Sequence, residues 1–545
     1  AKSQMGSAQE IALRLTPLKE VYYTHDTTFD FNPKGHRETN YVLLGIAFLI
    51  LFIAGINFTN LTTSLIPLRL KTINTHRVLG CSIYKLQAIS LIESIVICLI
   101  SYILALFIVN DLSYTPIANW VDADIRLSQY KGLILLTALI AILTGCLAGL
   151  YPAIRSTSYA PALVLKGSFG LSPKGKKVRV ALIGFQYTVS IALIIVTLFM
   201  GLQNHFMTSS EQLGFNKDQV AIVNLTPEIY AKHKPQYIQK LKDYPGIEDV
   251  AFSVYELSKE DDMIDLEYAR HEDKDVFFKV FYASENFLSV MDIQVEEGRD
   301  FTREDLNKAQ SDYIINPAAE RDFHLHPGDR FNDRTVLGVS KDFRFNSCRI
   351  ASSPFVFALN NDIPNPKLVS YIRFNSKTNL QEAVAHVRET LKEIDPTFPF
   401  EISFYNTILN NLYQKEQTLG KLISLFGIMA ILISIVGVFG LVLFETQYRR
   451  KEIGIRKING ATTGQILLMF NKTYIRIVSV CFIISIPIAW MGTQQWLENF
   501  AYKTPLHLWV FIVAFLIILS VTIGTVTFRN WQAANENPVN SVKSE

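Results

Sequence analysis

The chain has 545 residues, of which 49% are apolar and only 19% charged, with a formal net charge of +3. So small a charge gives no bulk attraction for nucleic acid, and so low a charged fraction points to a membrane protein with a soluble part, in two to four domains. Five cysteines (Cys81, Cys98, Cys146, Cys348 and Cys481) show no close spacing, so neither a disulfide framework nor a zinc pattern is legible.

The opening "AKSQMGSAQE" has no charged n-region or apolar h-region and is not a signal peptide. Residues 1–40, with "LTPLKEVYYTHD", read as the remnant of an outer domain and its stalk. Apolar segments follow near 41–63, 86–110 and 132–153, each long enough for the roughly 20 helical residues that cross a bilayer. Between the first two, residues 64–85 hold Arg69, Lys71, Arg77 and Lys85 without an acid. The next loop, "NDLSYTPIANWVDADIRLSQYK", carries three Asp. Residues 154–180 are again basic, with Arg155, Lys166, Lys174, Lys176, Lys177 and Arg179. These elements make a three-span unit over 41–165 and a linker over 166–180. A fourth span over 181–203 opens a second unit.

Residues 204–418 read as a soluble α+β insert ending in a stalk. "QVAIVNL", "VFFKVFYA", "RTVLGVSKDF", "LVSYIRF" and "FEISF" are rich in β-branched and aromatic residues, as strands are. "NLQEAVAHVRETLKEI" is an amphipathic helix, with Asn379 as N-cap, Glu382 three residues on, and Asp395-Pro396 as its stop. From about Asn406 the pattern predicts one helix running on through the fifth span. Spans near 421–444, 470–492 and 507–528 complete a second three-span unit over 419–545. Lys472 and Arg476 mark the interfacial entry of the sixth. Residues 445–467 carry five basic residues against two acidic ones.

Lys/Arg excess marks the cytoplasmic side. One orientation satisfies all seven spans, placing 1–40, 111–131, 204–418 and 493–506 outside. An external start without a signal peptide predicts an earlier span. The halves also repeat: "GIAFLILFIAGIN" (45–57) matches "GIMAILISIVGVF" (427–439), and "RVLGCS" matches "KINGAT", which puts Gly80 opposite Gly460. The expected parent has eight spans and two outer domains.

Several local patterns carry no chemistry. "GLSPKGKK" (170–177) imitates a phosphate-binding loop, but Lys177 replaces the Ser/Thr that would hold Mg²⁺, and a membrane span follows it. "HEDKD" (271–275) and "HLH" (324–326) lack helical His spacing and a nearby third ligand, so they read as solvated loops. No catalytic, cofactor or metal residue is assigned. Glu93 lies about two turns inside the second span, where an acid is a functional candidate that could pair with a cation such as Lys71 or Arg77; its shallow depth equally permits snorkelling to the cytoplasmic interface.

"ETQYRRKEIGIRKINGAT" resembles the signature of MacB/FtsX-like permeases, the membrane subunits of type VII ABC transporters. "GRDFTREDL", "DYIINPAAERDF", "VLGVSKDFRFNS" and "FQYTVSIALIIVTLFMGLQNHFM" resemble their periplasmic core domain and the span before it. The resemblance covers essentially the whole chain, in order, and matches duplicated eight-span versions common in Bacteroidetes-type bacteria. It implies an α-helical protein of the bacterial inner membrane with a periplasmic α+β domain. It also implies a partner, a cytoplasmic ABC ATPase dimer that binds ATP and Mg²⁺, so that this chain is no enzyme. The ATPase would dock on a short cationic helix comprising Glu445, Arg449, Arg450, Lys451, Glu452, Gly454, Arg456, Lys457 and Gly460, whose guanidinium groups can pair with acids on the partner. The first copy keeps Arg69, Lys71, Arg77 and Gly80, but has Thr72, Asn74 and His76 where the second has an acid, a glycine and an arginine. The implied function is transmission of ATP-driven motion to the periplasm, for export or extraction of a lipoprotein, lipid, peptide or antibiotic. Alternatives are activation of a periplasmic cell-wall hydrolase and sensing of an antimicrobial peptide. Membrane lipid and a periplasmic adaptor, lipoprotein or hydrolase are the further partners that follow.

Overall fold

The computed structural model describes residues 16–23, 37–116, 118, 126–158, 173–209, 213–258, 265–272, 274–308, 310–344, 347–359 and 368–535. Among these, seven helices are long and apolar enough to cross a membrane, and they coincide with the expected spans. The first four are α1 (Arg37–Val78), α2 (Ile83–Leu112), α3 (Lys131–Thr157) and α4 (Pro173–Thr208). Helices α2 and α3 approach closely because glycines at 145 and 149 remove side chains from the contact. A Cβ on Gly149 would lie 2.5 Å from Ser94 Cβ, and one on Gly145 would lie 3.0 Å from Ile95 Cα. This is the small-xxx-small spacing that lets membrane helices pack backbone to backbone.

Beyond α4 lies a mixed sheet of eleven strands: β1 (Val220–Leu225), β2 (Ile247–Ser253), β3 (Asp265–His271), β4 (Lys274–Ala283), β5 (Val295–Gly298), β6 (Tyr313–Ile315), β7 (Arg330–Phe331), β8 (Arg334–Ser340), β9 (Phe355–Leu359), β10 (Leu368–Phe374) and β11 (Ile402–Phe404). The main path runs β11-β1-β10-β2-β4-β9-β6-β8-β5, with β3 on β4 and β7 on β8. Among the described residues only the β4–β9 and β6–β8 pairs are parallel. Helices α5 (Lys234–Lys242), α6 (Phe287–Met291), α7 (Pro317–Phe323), α8 (Leu380–Ile394) and α9 (Tyr405–Leu412) complete the domain.

Both sheet faces are covered, which explains why the central strands read as unbroken apolar runs rather than as alternation. On β10, Leu368, Ile372 and Phe374 join the core shared with Tyr237 of α5 and Leu391 of α8. Val369 and Tyr371, on the other face, pack with Phe287 of α6 and Tyr405 of α9. Helix α8 begins as expected: Asn379 Oδ1 accepts from Gln381 N–H (3.1 Å), and its amide donates to Glu382 (2.8 Å).

An acid-sensitive anchor sits beside β5. Asp305 is nearly buried, caps its own turn through Thr302, and accepts both Arg299 nitrogens at 2.7 and 2.9 Å. The Arg299 guanidinium, helped by Lys308, holds this carboxyl far below the usual carboxylate range despite burial. A depressed folded pKa stabilises the fold above the unfolded value of about 3.9, and that stabilisation is lost as pH falls below it. Asp305→Asn is therefore expected to lower the melting temperature at pH 7, with the gap to wild type narrowing progressively below about pH 4. A constant gap across a pH series of thermal melts would refute this.

The last four helices are α10 (Gln414–Tyr448), α11 (Arg450–Ile458), α12 (Thr463–Leu497) and α13 (Leu508–Ala534). The single helix expected from Asn406 through the fifth span is broken at Tyr413, whose backbone (φ −106°, ψ 13°) separates α9 from α10. The break re-aims the stalk: Tyr405 and Leu409 stay in the sheet core, while Tyr413 enters a separate cluster with Met207, Cys348 and Phe500. Within the membrane, Tyr187, Ile191, Ile195 and Phe199 of α4, about one turn apart, pack against α10, α12 and α13. The two halves meet where α1 crosses α10. There Asn57 Nδ2 donates to the Ile433 carbonyl (2.7 Å), opposite Gly437.

Candidate functional site

The two basic segments end in the same turn. Gly80 and Gly460 have φ of +91° and +88°, which disfavour any side chain. In the first copy, Gly80 N–H donates to Arg77 O and Cys81 N–H to His76 O, each at 3.0 Å. In the second, Gly460 N–H donates to Lys457 O (3.0 Å) and Ala461 N–H to Arg456 O (2.9 Å). Both are Schellman closures that use up the last helix carbonyls. The next helix is then capped by a hydroxyl, Ser82 for α2 and Thr462 for α12.

What precedes the turn differs. In the second copy the backbone breaks at Arg449 (φ −94°, ψ 10°), making α11 a separate short helix. Arg449 holds this elbow. Its Nη2 lies 2.9 Å from Glu445 Oε1, its Nη1 4.0 Å from Glu452 Oε2, and its guanidinium 5.7 Å from the Phe470 ring centroid. Glu445 also accepts from the Tyr474 hydroxyl (3.2 Å). Arg456 pairs with Glu452 at 2.9 Å across one turn, as the spacing predicts, yet its side chain stays 52% exposed. Ile453 and Gly454 bury one side of α11. Ile455 and Ile458 are exposed at 55% and 65% beside Arg456. The side chains of Arg450 and Lys451 lie outside the described residues. Sequence reasoning stressed the charges and missed the two isoleucines. Their signal was their three-residue spacing from each other, two and five residues on from Ile453, which puts both on the side of the helix opposite it.

In the first copy α1 runs unbroken from Arg37 to Val78, so no separate helix forms. Among the described side chains the partner of Glu93 is Arg69 rather than Arg77, donating at 2.7 and 2.8 Å to its two oxygens. A planar guanidinium matches a carboxylate in this way and an ammonium does not. Arg77 instead donates to the Thr157 carbonyl at the end of α3 (3.1 Å). Asn74 is buried and turns its amide back to Leu70 O. The Lys71 side chain lies outside the described residues. Both described arginines of the first copy thus hold neighbouring helices. In the second copy, α11 leaves Arg456, Ile455 and Ile458 exposed.

The remaining patterns are placed as follows. Lys176 lies in the first turn of α4, while 159–172 are outside the described residues. His271, in the β3–β4 hairpin, bonds the Phe323 carbonyl at 2.9 Å and packs on Phe331. The reading of "HLH" as lacking a nearby third ligand is corrected: tertiary structure brings Glu320 of α7 and Glu297 of β5 to His326, with ligand atoms mutually within 4.8 Å. His326 Nδ1 lies 3.6 Å from Glu320 Oε1 and its side chain is 70% exposed, as in a surface ion pair.

Residues 44–161 and 424–538 each match the family model of the FtsX-like permease C-terminal region. The chain is 25% identical over 212 residues to the macrolide export ATP-binding/permease protein MacB of Aggregatibacter actinomycetemcomitans, covering 36% of this chain and 32% of that protein. It is also 25% identical over 223 residues to MacB of Neisseria gonorrhoeae, covering 38% and 34%. The chain thus spans about a third of the length of the curated relatives it matches. Similar solved structures include the periplasmic region of MacB from Actinobacillus actinomycetemcomitans, at 15% identity and TM-score 0.28, covering 36% of this chain and 94% of that one. Another is the extracellular domain of the noncanonic ABC-type transporter YknZ from Gram-positive bacteria, at 17% identity and TM-score 0.26, covering 34% and 99%.

Proposed function

We propose that this chain, with seven helices able to span a membrane and two regions similar to FtsX-like permeases, is a MacB/FtsX-like ABC transporter permease of the inner membrane with a large periplasmic domain, and that it transmits motion. A separate cytoplasmic ATPase dimer, binding ATP and Mg²⁺, would drive it through α11. The observation that carries this reading is the linkage of α11 to the periplasmic domain by one helix. Helix α10 is 35 residues long, about 50 Å, and joins Tyr413 at the domain boundary to the Arg449 elbow. A helix of that length tilts as a lever, so a small displacement at Arg456, Ile455 and Ile458 becomes a displacement of the periplasmic domain. The exposed isoleucines supply apolar contact area and Arg456 supplies a charge-assisted bond, the usual division of labour in a docking knob. The cargo would be handled from the periplasm or the outer leaflet. The macrolide-export names of the curated relatives favour an amphiphilic antibiotic within the wider class of lipids, lipoproteins and peptides.

Rigorously purified alone, the chain is expected to turn over no ATP. In the complex with its ATPase, Lys176→Ala is expected to leave the ATPase rate unchanged. Trapping the ATPase with a transition-state analogue in nanodiscs should change hydrogen exchange across the α9–α10 break at Tyr413. ATP turnover by the single chain, or an unchanged exchange pattern at that break, would overturn the reading.

A further inference from the structure

Chain continuity ties the periplasmic domain to only two membrane helices, α4 and α10. We propose that the segment between β8 and β9 is a third attachment, clamping the domain to the outer turn between α12 and α13. The clamp would make the α12–α13 pair move with the domain, and in that sense the inference rests on the transmission reading.

The segment itself is fixed to the sheet. Phe343 is fully buried against Phe355 and Phe357 of β9, and Arg344 N–H donates to Leu213 O (2.8 Å). From this base three side chains reach the outer turn or the helix beneath it. The Arg344 guanidinium lies 4.1 Å from the Tyr502 ring centroid and 5.1 Å from that of Phe206. Arg349 lies over Phe500 at 4.8 Å while its Nε donates to Glu416 Oε1 at 2.7 Å, and the Glu416 side chain is only 9% exposed. Cys348 is buried against Phe500, Met207 and Tyr413.

The backbones also bond directly. Tyr502 N–H donates to Cys348 O (3.1 Å), and Ser352 N–H donates to the Tyr502 hydroxyl (3.2 Å). The outer turn is in turn fixed to α4: Gln203, fully buried, donates to Tyr502 O (3.0 Å) and accepts from Thr504 N–H (2.8 Å). Tyr502 is thus held from both sides, by the periplasmic domain and by the membrane half. Guanidinium–aromatic contacts are strongest where water is excluded, and an ion pair on a nearly buried carboxylate leaves a costly unpaired charge when broken. These are the features of a contact that resists separation. A surface merely resting against another would not bury Glu416.

The test is hydrogen exchange on the full chain in nanodiscs, without any ATPase, following the peptide over 498–505. Arg349→Glu is expected to raise its exchange about tenfold or more, because Tyr502 N–H loses its acceptor once the segment lifts. The swap Arg349→Glu with Glu416→Arg is expected to return it towards wild type. Arg344→Ala, which leaves the Arg349–Glu416 pair in place, should raise exchange over the same peptide. Strands β1 and β10 should stay protected throughout. Unchanged exchange over 498–505 in both single variants would overturn the clamp. So would an equal loss of protection in β1 and β10, which would make Arg349 and Arg344 simply part of the domain's own stability. Since no ATPase is present, failure of the ATP-driven reading leaves these outcomes untouched.

Discussion

Replacing Arg449 and Arg456 together with alanine is expected to weaken binding of the partner ATPase by tenfold or more. Hydrogen bonds to charged groups contribute about 1.5–3 kcal/mol each when well formed, and about 1.4 kcal/mol is a factor of ten. The two residues act differently. Arg456 is exposed beside Ile455 and Ile458, so its loss should lower affinity directly and flatten the salt dependence. Arg449 is tied to Glu445 and to the Phe470 ring, so its loss should let the elbow bend and misplace α11. Replacing Lys71 and Arg77 in the first copy should cost less, because Arg77 already donates to Thr157 O and no separate helix forms there. The measurement is affinity between the detergent-solubilised permease and its ATPase for wild type and both double variants. A larger loss in the first-copy variant would make α1 the main docking end and reverse the assignment.

The second large effect is expected at Gly437→Leu, where the halves touch. A Cβ at 437 would stand 2.3 Å from Asn57 Oδ1 and 2.9 Å from its Cγ, and Asn57 is only 4% exposed with its amide committed to Ile433 O. No ordinary adjustment accommodates that, so α1 must back away from α10. Overpacking typically costs about 1–3 kcal/mol, and the broken Asn57 bond adds about 1 kcal/mol. Thermal unfolding in detergent should show a clear drop in melting temperature. Adding Asn57→Ala should recover part of it, since the clashing group is then gone. Gly440→Ala is the milder control: its Cβ would stand 2.1 Å from Leu61 Cδ2 and 3.1 Å from its Cγ, but that leucine end is flexible and can rotate away. A Gly437→Leu protein as stable as wild type would mean that this crossing does not hold the halves together.

Much of this architecture was local enough to read directly. Seven apolar runs and the repeated glycines marked the spans and the duplication. The strands β1 and β10 were visible because both faces of the sheet are covered, which turns "VAIVNL" and "LVSYIRF" into nearly continuous apolar runs. The positive φ at Gly80 and Gly460 and the caps at Asn379 and Thr462 follow from the chemistry of a few neighbouring residues. Short apolar strands such as β6 and β9 escaped notice, being too brief to show any period.

The sequence by itself therefore determined which segments are long and apolar enough to cross a membrane and where capped helices start and stop, because hydropathy and capping act over a few residues. Tertiary structure alone decided which partner a polar side chain takes in another segment. Several cations stood within reach of Glu93, and only the approach of α1 to α2 selects Arg69. Nothing near Tyr413 in the chain breaks a helix, yet the stalk breaks there because Cys348, Met207 and Phe500, distant in sequence, form the pocket that its ring fills. Exposure of Ile455 and Ile458 is likewise invisible until Ile453 has been assigned to the buried side. Such choices depend on distances between separate segments, such as those of Arg69 and Glu93 or of Cys348 and Tyr413, and those distances exist only once the helices and the sheet have packed.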